Sequence, residues 1–223
     1  MFENRENAAH LLAEALMKRK LHFPVVLAIP RGGVVTGAVL ARDLGADLDV
    51  VLSRKLRAPG QPEYAIGAIS EDGKIYLNTQ AMGLPDMKEG YLAEERQCQL
   101  GEIARRKKLF RAVLPQAHLE GRTVIVTDDG IATGSTMIAA LQSIAAQKPL
   151  EIIVAIPVAP PDRIRETGRW CDEVICLYSP DDFWSVGQFY RNFEQVEDDD
   201  VIRILRDFSH RSPKGNFVES RKK

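Results

Sequence analysis

The sequence contains five short runs of apolar, β-prone residues, and these runs constrain the fold more than any other feature. They are VVLAIP (25–30), DVVLS (49–53), RTVIV (122–126), EIIVAIPVA (151–159) and DEVICLY (172–178). Most are nearly continuous rather than alternating, which is typical of strands buried on both faces of a parallel sheet. The sequence therefore predicts an α/β fold: an open, twisted, mainly parallel, Rossmann-like sheet with helices on both faces.

Helical patterns lie between and beside these runs. The first, residues 7–20, has apolar side chains at helical spacing and ends in basic residues, which suit a helix C-terminus. The second ends at Gly45, a residue type that commonly terminates helices. Further helices are predicted over 87–113 and 136–147, and a short one after the acidic run 197–200.

Two segments break this pattern. Residues 54–64, RKLRAPGQPEY, combine two prolines, a glycine and three cations without periodicity, which predicts a mobile surface loop. The apolar residues 65–70 and 74–78 are joined by Glu-Asp-Gly, which predicts a β-hairpin. The last residues, from about 212, are expected to be frayed.

Composition bounds the organisation and the function class. A chain of 223 residues with 45% hydrophobic and 27% charged residues predicts one globular domain, and a net charge of -1 argues against nucleic acid as a partner. No apolar run of about 20 residues occurs and the N-terminus is polar, so we expect a cytoplasmic protein without a membrane span. Three cysteines without a Cys-x-x-Cys pair and four scattered histidines argue against a zinc site.

Three polar motifs follow three of the predicted strands. PRGG (30–33) follows the first strand, the pair Arg54 and Lys55 the second, and DDGIATGST (128–136) the third. Ligands of open parallel sheets bind at the carboxyl ends of the strands, where the strand order reverses. These motifs are therefore the candidate binding residues.

The third motif has the chemistry of a sugar-phosphate site. Its hydroxyl-rich part precedes a helix, so N–H groups and hydroxyls can converge on an anion: Thr133, Gly134, Ser135 and Thr136. It is not a Walker A loop, because Ser135 stands where lysine is required. Asp128 and Asp129 would repel phosphate, so sugar hydroxyls or a metal are their expected partners. The alternative is a glycine-rich turn in which one acid caps the helix.

The other two motifs add cations and open backbone. Arg31 precedes Gly32 and Gly33, whose missing side chains allow backbone amides to approach an oxyanion. Arg54 and Lys55 supply positive charge, although such pairs are often merely solvated. Together the three strand ends predict one cradle for a monophosphate and further sites for additional phosphate.

These residues resemble a known family. VIVTDDGIATGST (124–136) resembles the phosphoribosyl diphosphate motif of type I phosphoribosyltransferases, and PRGG resembles their pyrophosphate loop. SRKLRAPG (53–60) resembles the start of the flexible loop in adenine and orotate phosphoribosyltransferases. The resemblance covers about 25–178, and the chain most resembles the predicted phosphoribosyltransferases of unassigned base specificity.

The resemblance implies a role for each motif. Asp128 and Asp129 would bind the ribose 2′- and 3′-hydroxyls, and residues 132–136, beginning with Ala132, would bind the 5′-phosphate. Arg31, Gly32 and Gly33 would bind the pyrophosphate, in a loop that in this family often contains a strained or cis peptide bond. Arg54 would help to bind substrate and Lys55 would neutralise charge on the departing pyrophosphate, while the loop 57–64 would close over the site. The cofactor implied is Mg²⁺, held mostly by substrate and water oxygens with help from the acid pair.

The implied reaction moves the phosphoribosyl group from its diphosphate to a nitrogenous base and yields a nucleoside monophosphate. Two positions depart from the family pattern. Ala132 stands where the hypoxanthine-guanine type has an aspartate, and Gly130 stands where a bulkier apolar residue is common, which would leave the backbone less constrained. A hood made by about 1–23 and 179–211, around a core of about 24–178, would hold the base through Pro157, Val158, Tyr178, Phe183 and Trp184.

Other readings of the same residues stay open. A sensor that binds phosphoribosyl diphosphate or a nucleotide without turnover is the main alternative, and the basic cluster 105–108 is the one patch that could serve a regulatory partner. A phosphatase is less attractive, because such sites usually need further carboxylate or histidine ligands. A homodimer is an expectation from the family.

Overall fold

The computed structural model describes residues 1–71, 73–77 and 89–211. Six α-helices are described: α1 Arg5–Leu16, α2 Gly33–Leu44, α3 Glu89–Arg111, α4 Ser135–Ala145, α5 Pro161–Thr167 and α6 Asp198–Arg211. Eight strands are described: β1 Val25–Ala28, β2 Asp47–Val50, β3 Ser53–Ala58, β4 Gln61–Ser70, β5 Ile75–Leu77, β6 Thr123–Thr127, β7 Glu151–Val158 and β8 Glu173–Tyr178. A short 3₁₀ helix, Val186–Phe189, lies between β8 and α6. The sequence had not predicted α5.

Five of these strands form the main sheet, in the order β2-β1-β6-β7-β8. Every neighbouring pair is parallel. The strand order reverses at β1, where Val25 pairs with Asp47 on one side and with Val124 on the other. The α/β fold class is confirmed, and the groove above β1 and β6 is the place where such sheets bind ligands.

The apolar strands are buried on both faces because helices cover both faces of the sheet. On one face Val26 and Ala28 pack in a core with residues of α1, α2 and α6. On the other face Val25 and Leu27 pack with residues of α4. Gly45 ends α2 in the left-handed conformation, with φ of 60°, as the sequence predicted.

A second sheet corrects the predicted loop. Residues 53–58 and 61–70 are antiparallel strands, paired from Ser53↔Ser70 to Ala58↔Gln61, so Arg54 and Lys55 lie in a strand. The turn between them has Gly60 at φ of 68°, which explains why its Pro-Gly sequence has the composition of a loop. The predicted hairpin is confirmed, since β5 pairs with β4 at Ile69↔Ile75.

The N-terminal residues contact the segment that precedes the last helix. Phe2 forms a bridge with Tyr190, and the N–H of Phe2 donates to the carbonyl of Phe189 at 2.8 Å. Most of α1, however, packs on α2 and against β7 and β8, so it belongs to the helical layer. The final helix begins within the acidic run, at Asp198, and is longer than predicted, whereas the predicted tail 212–223 lies outside the described residues. Within the described part of the chain, no helix is long and apolar enough to cross a membrane.

Candidate active site

The PRGG loop and the acid pair touch each other at the reversal of strand order. A Cβ atom on Gly32 would lie 1.9 Å from Oδ2 of Asp129, and one on Gly33 would lie 2.8 Å from Cα of Asp128. Any larger residue at either position would displace the acids, so glycine is required here for space. The peptide bond between Pro30 and Arg31 is cis, as the resemblance implies.

The hydroxyl-rich segment forms the N-terminus of a helix beside these residues. Gly134 is the N-cap of α4 with φ of 80°, and the N–H of Ile138 donates to its carbonyl at 2.9 Å. Glycine has no side chain to cap the first turn, so the N–H groups of Ser135 and Thr136 can donate to an anion. Ala132 and Thr133 are exposed just before them. This geometry is suited to a phosphate group.

The two acids differ in their surroundings. The pKa of Asp128 is raised well above its usual range, mainly by burial and to a smaller extent by the negative charge of Asp129. Its Oδ1 accepts a 2.8 Å hydrogen bond from the N–H of Asp129. Asp129 instead receives a cation, because Nε of Arg5 lies 2.8 Å from its Oδ2. The pair therefore combines one carboxyl group that resists ionisation with one that is paired with a positive charge.

Arg5 is a site residue that the sequence analysis missed. It is the first residue of α1 and is 8% exposed. Its Nη1 donates to the carbonyl of Glu194 at 2.8 Å, and its guanidinium carbon lies 3.8 Å from the centre of the Phe193 ring. One local feature of the sequence could have drawn attention to Arg5: it is a cation in the first turn of a helix, where the helix dipole disfavours positive charge. Its partner, 124 residues away, has no signal in the sequence.

Arg31 faces the start of the last helix. Its Nη1 forms an ion pair with the carboxylate of Glu197, and both side chains are partly exposed. A cavity of about 390 Å³ lies beside this loop and Asp129. Arg5, Arg31, Gly32 and Asp129 line it together with residues 193–196. The cavity thus joins the PRGG loop, the second acid and the C-terminal part of the chain.

The two cations of β3 have different positions. Ser53 Oγ donates to the carbonyl of Thr136 at 3.0 Å, so the start of β3 lies against the start of α4. Lys55 lies two residues further along the strand, on the same face as Ser53. Arg54 points the other way, and its Nε donates to Oε1 of Gln99 on α3 at 2.9 Å. Burial, then the charge of Arg106, lowers the pKa of Arg54. The structure therefore directs Arg54 towards α3, which differs from its predicted substrate-binding role.

The loop predicted to close over the site is held at its first residue. Arg57 Nε donates to Oε1 of Glu95 at 3.0 Å, and its carbonyl accepts from the hydroxyl of Tyr91. Burial, the largest single cause, would raise the pKa of Glu95, but the hydrogen bonds from Arg57 and Gln99 together with the charge of Arg57 lower that pKa. The hairpin of β3 and β4 is thus fastened to α3 by an ion pair and a hydrogen bond.

Comparison with known proteins identifies the family. A family model described as the phosphoribosyl transferase domain matches residues 3–194. The chain belongs to this family. It is 43% identical to TT1426 from Thermus thermophilus, whose crystal structure superposes with a TM-score of 0.80 over 93% of this chain and 98% of that one. The sheet and the helices that cover it are therefore those of a phosphoribosyl transferase domain.

Two curated relatives are longer than this chain. "Putative phosphoribosyl transferase Rv0571c" and "Putative phosphoribosyl transferase MT0597", from two strains of Mycobacterium tuberculosis, are each 40% identical over 211 residues. The match covers 95% of this chain and 47% of each relative. The chain thus spans about half the length of the curated relatives that it matches.

The predicted hood residues of this phosphoribosyl transferase domain differ in exposure. Pro157 and Val158 are buried, Tyr178 is half-exposed, and Trp184 is 89% exposed. Phe183 packs against Phe189 with ring centres 5.2 Å apart. Among the predicted set, the side chains of Tyr178 and Trp184 are the ones most accessible to a base.

Gly130 is more constrained than the sequence analysis predicted. A Cβ atom there would lie 2.7 Å from Cγ1 of Val186 and 3.0 Å from Cγ1 of Val158. The next N–H, that of Ile131, donates to the carbonyl of Val158 at 2.9 Å. The valine side chains fill the space that a larger residue would occupy, so the backbone is fixed by packing from the hood side.

Asp128 and Asp129 are the carboxyl groups expected to help bind Mg²⁺. In the part of the chain that the structure describes, no group of three or more His, Cys, Asp or Glu side chains could hold a metal ion. Asp129 offers hard oxygen ligands at the cavity, and Asp128 directly precedes it in the chain, which suits a cation whose other ligands are substrate and water oxygens. The residues present therefore fit Mg²⁺ that binds together with its substrate.

Proposed function

We propose that the chain transfers the 5-phosphoribosyl group from 5-phosphoribosyl 1-diphosphate to a nitrogenous base, with release of pyrophosphate and formation of a nucleoside monophosphate. The observation that supports this best is the contact of Gly32 and Gly33 with Asp129 and Asp128. It brings the pyrophosphate loop and the ribose acids of the family motif within reach of one ligand.

Each part of the donor has a matching group in this arrangement. The ribose hydroxyls would be held by Asp128 and Asp129, which as carboxylates accept hydrogen bonds. The 5′-phosphate would lie at the N-terminus of α4, on residues 132–136. The pyrophosphate would lie along the backbone of Gly32 and Gly33, with Arg31 and Lys55 as sources of positive charge.

The chemistry follows from this placement. A bond forms between a ring nitrogen of the base and C1′ of the ribose, while the bond from C1′ to the pyrophosphate oxygen breaks and leaves its electron pair on that oxygen. Positive charge develops on the ribose ring and negative charge on the leaving group, so Lys55 and Arg31 would stabilise the latter. Bound Mg²⁺, held with the help of Asp128 and Asp129, would supply further positive charge to the pyrophosphate.

The acceptor base is less defined than the donor. Ala132 offers no carboxylate to take a proton from the base, so we expect an acceptor that loses its proton to solvent or already carries a nucleophilic nitrogen. Tyr178 and Trp184 present exposed rings on the hood side, where a flat base could stack. A role in nucleotide salvage and a cytoplasmic location remain predictions from the sequence.

The alternative function is a non-catalytic sensor of phosphoribosyl diphosphate or of a nucleotide. One feature favours it: the ion pair with Glu197 already engages Arg31. A sensor would bind the donor with Mg²⁺ but release no pyrophosphate with any acceptor.

One experiment separates the two functions. The full chain is incubated with Mg²⁺, isotopically labelled phosphoribosyl diphosphate and a panel of purine, pyrimidine and other nitrogenous bases, and pyrophosphate release is measured. Release that requires one class of base supports the transferase. Donor binding without release across the panel would instead support a sensor of phosphoribosyl diphosphate, and absence of donor binding would reject both the transferase and that sensor.

A further inference from the structure

Arg5 is a buried cation in a helix position that disfavours positive charge. It follows the N-cap Asn4, whose Oδ1 accepts from the N–H of Asn7 at 2.8 Å, so Arg5 lies in the first turn of α1. The helix dipole destabilises a cation there. Because α1 is fixed by the packing of Ala8, Ala9 and Leu12, Arg5 is held towards the site.

The contacts of Arg5 connect three parts of the site. Its Nε holds Oδ2 of Asp129, the same oxygen that lies against Gly32 of the pyrophosphate loop. Its Nη1 holds the carbonyl of Glu194, and its guanidinium plane covers Phe193. The residue therefore joins the second acid to the segment 193–196, and both line the cavity of about 390 Å³.

The charge of Arg5 also matters for a highly anionic ligand. The donor carries negative charge at both ends, and a carboxylate at Asp129 without a counter-charge would repel it. In a partly buried site such repulsion is screened less than in water. Arg5, in contact with Asp129, offsets this charge and leaves the carboxylate in a fixed orientation.

We propose that Arg5 is a positioning residue of the donor site: it orients Asp129, offsets its charge, and anchors the segment 193–196 beside the bound donor. This inference rests on the proposed function. Arg5 acts through Asp129 and through the carbonyl of Glu194.

The test compares Arg5→Met with a matched control, Arg122→Met. Arg122 is also buried and also contacts a carboxylate and backbone carbonyls: its Nη2 lies 2.7 Å from Asp47 Oδ2 and 3.1 Å from the carbonyl of Pro24. Arg122 lies at the N-terminal ends of β1, β2 and β6, whereas the candidate site lies at the carboxyl ends of the strands. Both variants lose a buried arginine, so both are expected to lower the melting temperature.

Donor affinity distinguishes the two variants. Titration of phosphoribosyl diphosphate in the presence of Mg²⁺ should show donor affinity that is lower than in the wild type by about tenfold or more for Arg5→Met. The donor affinity of Arg122→Met should be unchanged. Arg5→Met should also need more Mg²⁺ for half-maximal donor binding, because the metal must then offset the negative charge of Asp129 that Arg5 offsets in the wild type. A structural role alone would change neither quantity.

A second variant keeps the test decisive if Arg5→Met does not fold. Arg5→Lys retains the charge, but an ammonium cannot contact Asp129 and the carbonyl of Glu194 through one planar group, so we expect donor affinity between those of the wild type and Arg5→Met. Wild-type donor affinity in Arg5→Lys, or in Arg5→Met, would overturn the proposal. A wild-type protein that binds no donor would overturn the proposed function instead.

Discussion

Arg31 of the PRGG loop forms an ion pair with Glu197, directly before the last helix, although the two lie 166 positions apart in the chain. The same acidic run continues into Asp198, which contacts Arg105 of α3 at 2.5 Å. The start of α6 thus bridges the PRGG loop and the long charged helix. A ligand that needs the charge of Arg31 must compete with the carboxylate of Glu197.

This competition gives the first prediction. Glu197→Gln should strengthen binding of phosphoribosyl diphosphate or pyrophosphate by about two- to fivefold, because a partly exposed ion pair contributes about 1 kcal/mol or less. Titration calorimetry measures the change. Asp199→Asn is the control, since it removes the same charge from the same run and has no ion pair among the described residues. Equal effects of the two substitutions would show that only net charge matters.

A second prediction concerns the space at Gly32. Gly32→Ala places a methyl group 1.9 Å from the original position of Asp129 Oδ2, so the acid must move. We expect donor affinity to fall by about tenfold or more, in line with about 1.4 kcal/mol or more of lost binding energy. The control is Gly101→Ala in α3, where a Cβ atom would meet no described atom within 4 Å and where helix propensity predicts a gain in stability of about 0.5–1 kcal/mol. Unchanged donor affinity in Gly32→Ala would contradict the proposed contact between loop and acid.

The third prediction follows from the raised pKa of Asp128. A carboxyl group with a higher pKa in the folded than in the unfolded protein binds more protons when folded, so ionisation lowers stability as pH rises through the unfolded-state pKa towards the folded-state one. Asp128→Asn removes this cost. The variant should therefore unfold at a higher temperature than the wild type at pH 7, and the difference should shrink as pH falls towards 4. Thermal unfolding between pH 4 and 8 measures it; a variant that is less stable at pH 7 would refute the prediction.

A fourth prediction addresses the acceptor side. Trp184 is 89% exposed, so Trp184→Ala should change the melting temperature little. If its ring stacks on the base, the KM for the base should rise by about fivefold or more, because stacking of a base on an aromatic ring contributes about 1–3 kcal/mol, while donor affinity stays the same. Trp170→Ala is the control, because Trp170 is partly exposed before β8 rather than after it. Equal KM values in both variants would remove Trp184 from the site.

The features that local sequence determines were predicted well. Continuous apolar runs indicated the buried strands, and the acid pair with its glycine- and hydroxyl-rich segment indicated a strand end before a helix. The prediction of a loop over 54–64 was wrong because Pro59 and Gly60 form a tight turn between two strands, and local composition does not distinguish such a turn from a longer loop. The pairing of β3 with β4, from Ser53↔Ser70 onwards, makes this segment a hairpin, and that pairing involves residues outside the segment.

The features that depend on distant residues could not be predicted. Arg5 meets Asp129 and Arg31 meets Glu197 only because the sheet and the chain ends bring them together. The packing of Gly130 could not be predicted for the same reason, since the valines that fill the space above it belong to β7 and to the 3₁₀ helix Val186–Phe189. Side-chain partners far apart in the chain leave no periodic or compositional signal.

The acid pair and the PRGG loop form the proposed binding site for phosphoribosyl diphosphate. Titration calorimetry of this donor with Mg²⁺ compares the wild type with the double variant in which Asp128 and Asp129 are both replaced by alanine. We expect saturable binding by the wild type and binding at least about tenfold weaker by the variant, with circular dichroism showing that both are folded. Absence of binding by the wild type, or equal binding by the folded variant, would refute this site.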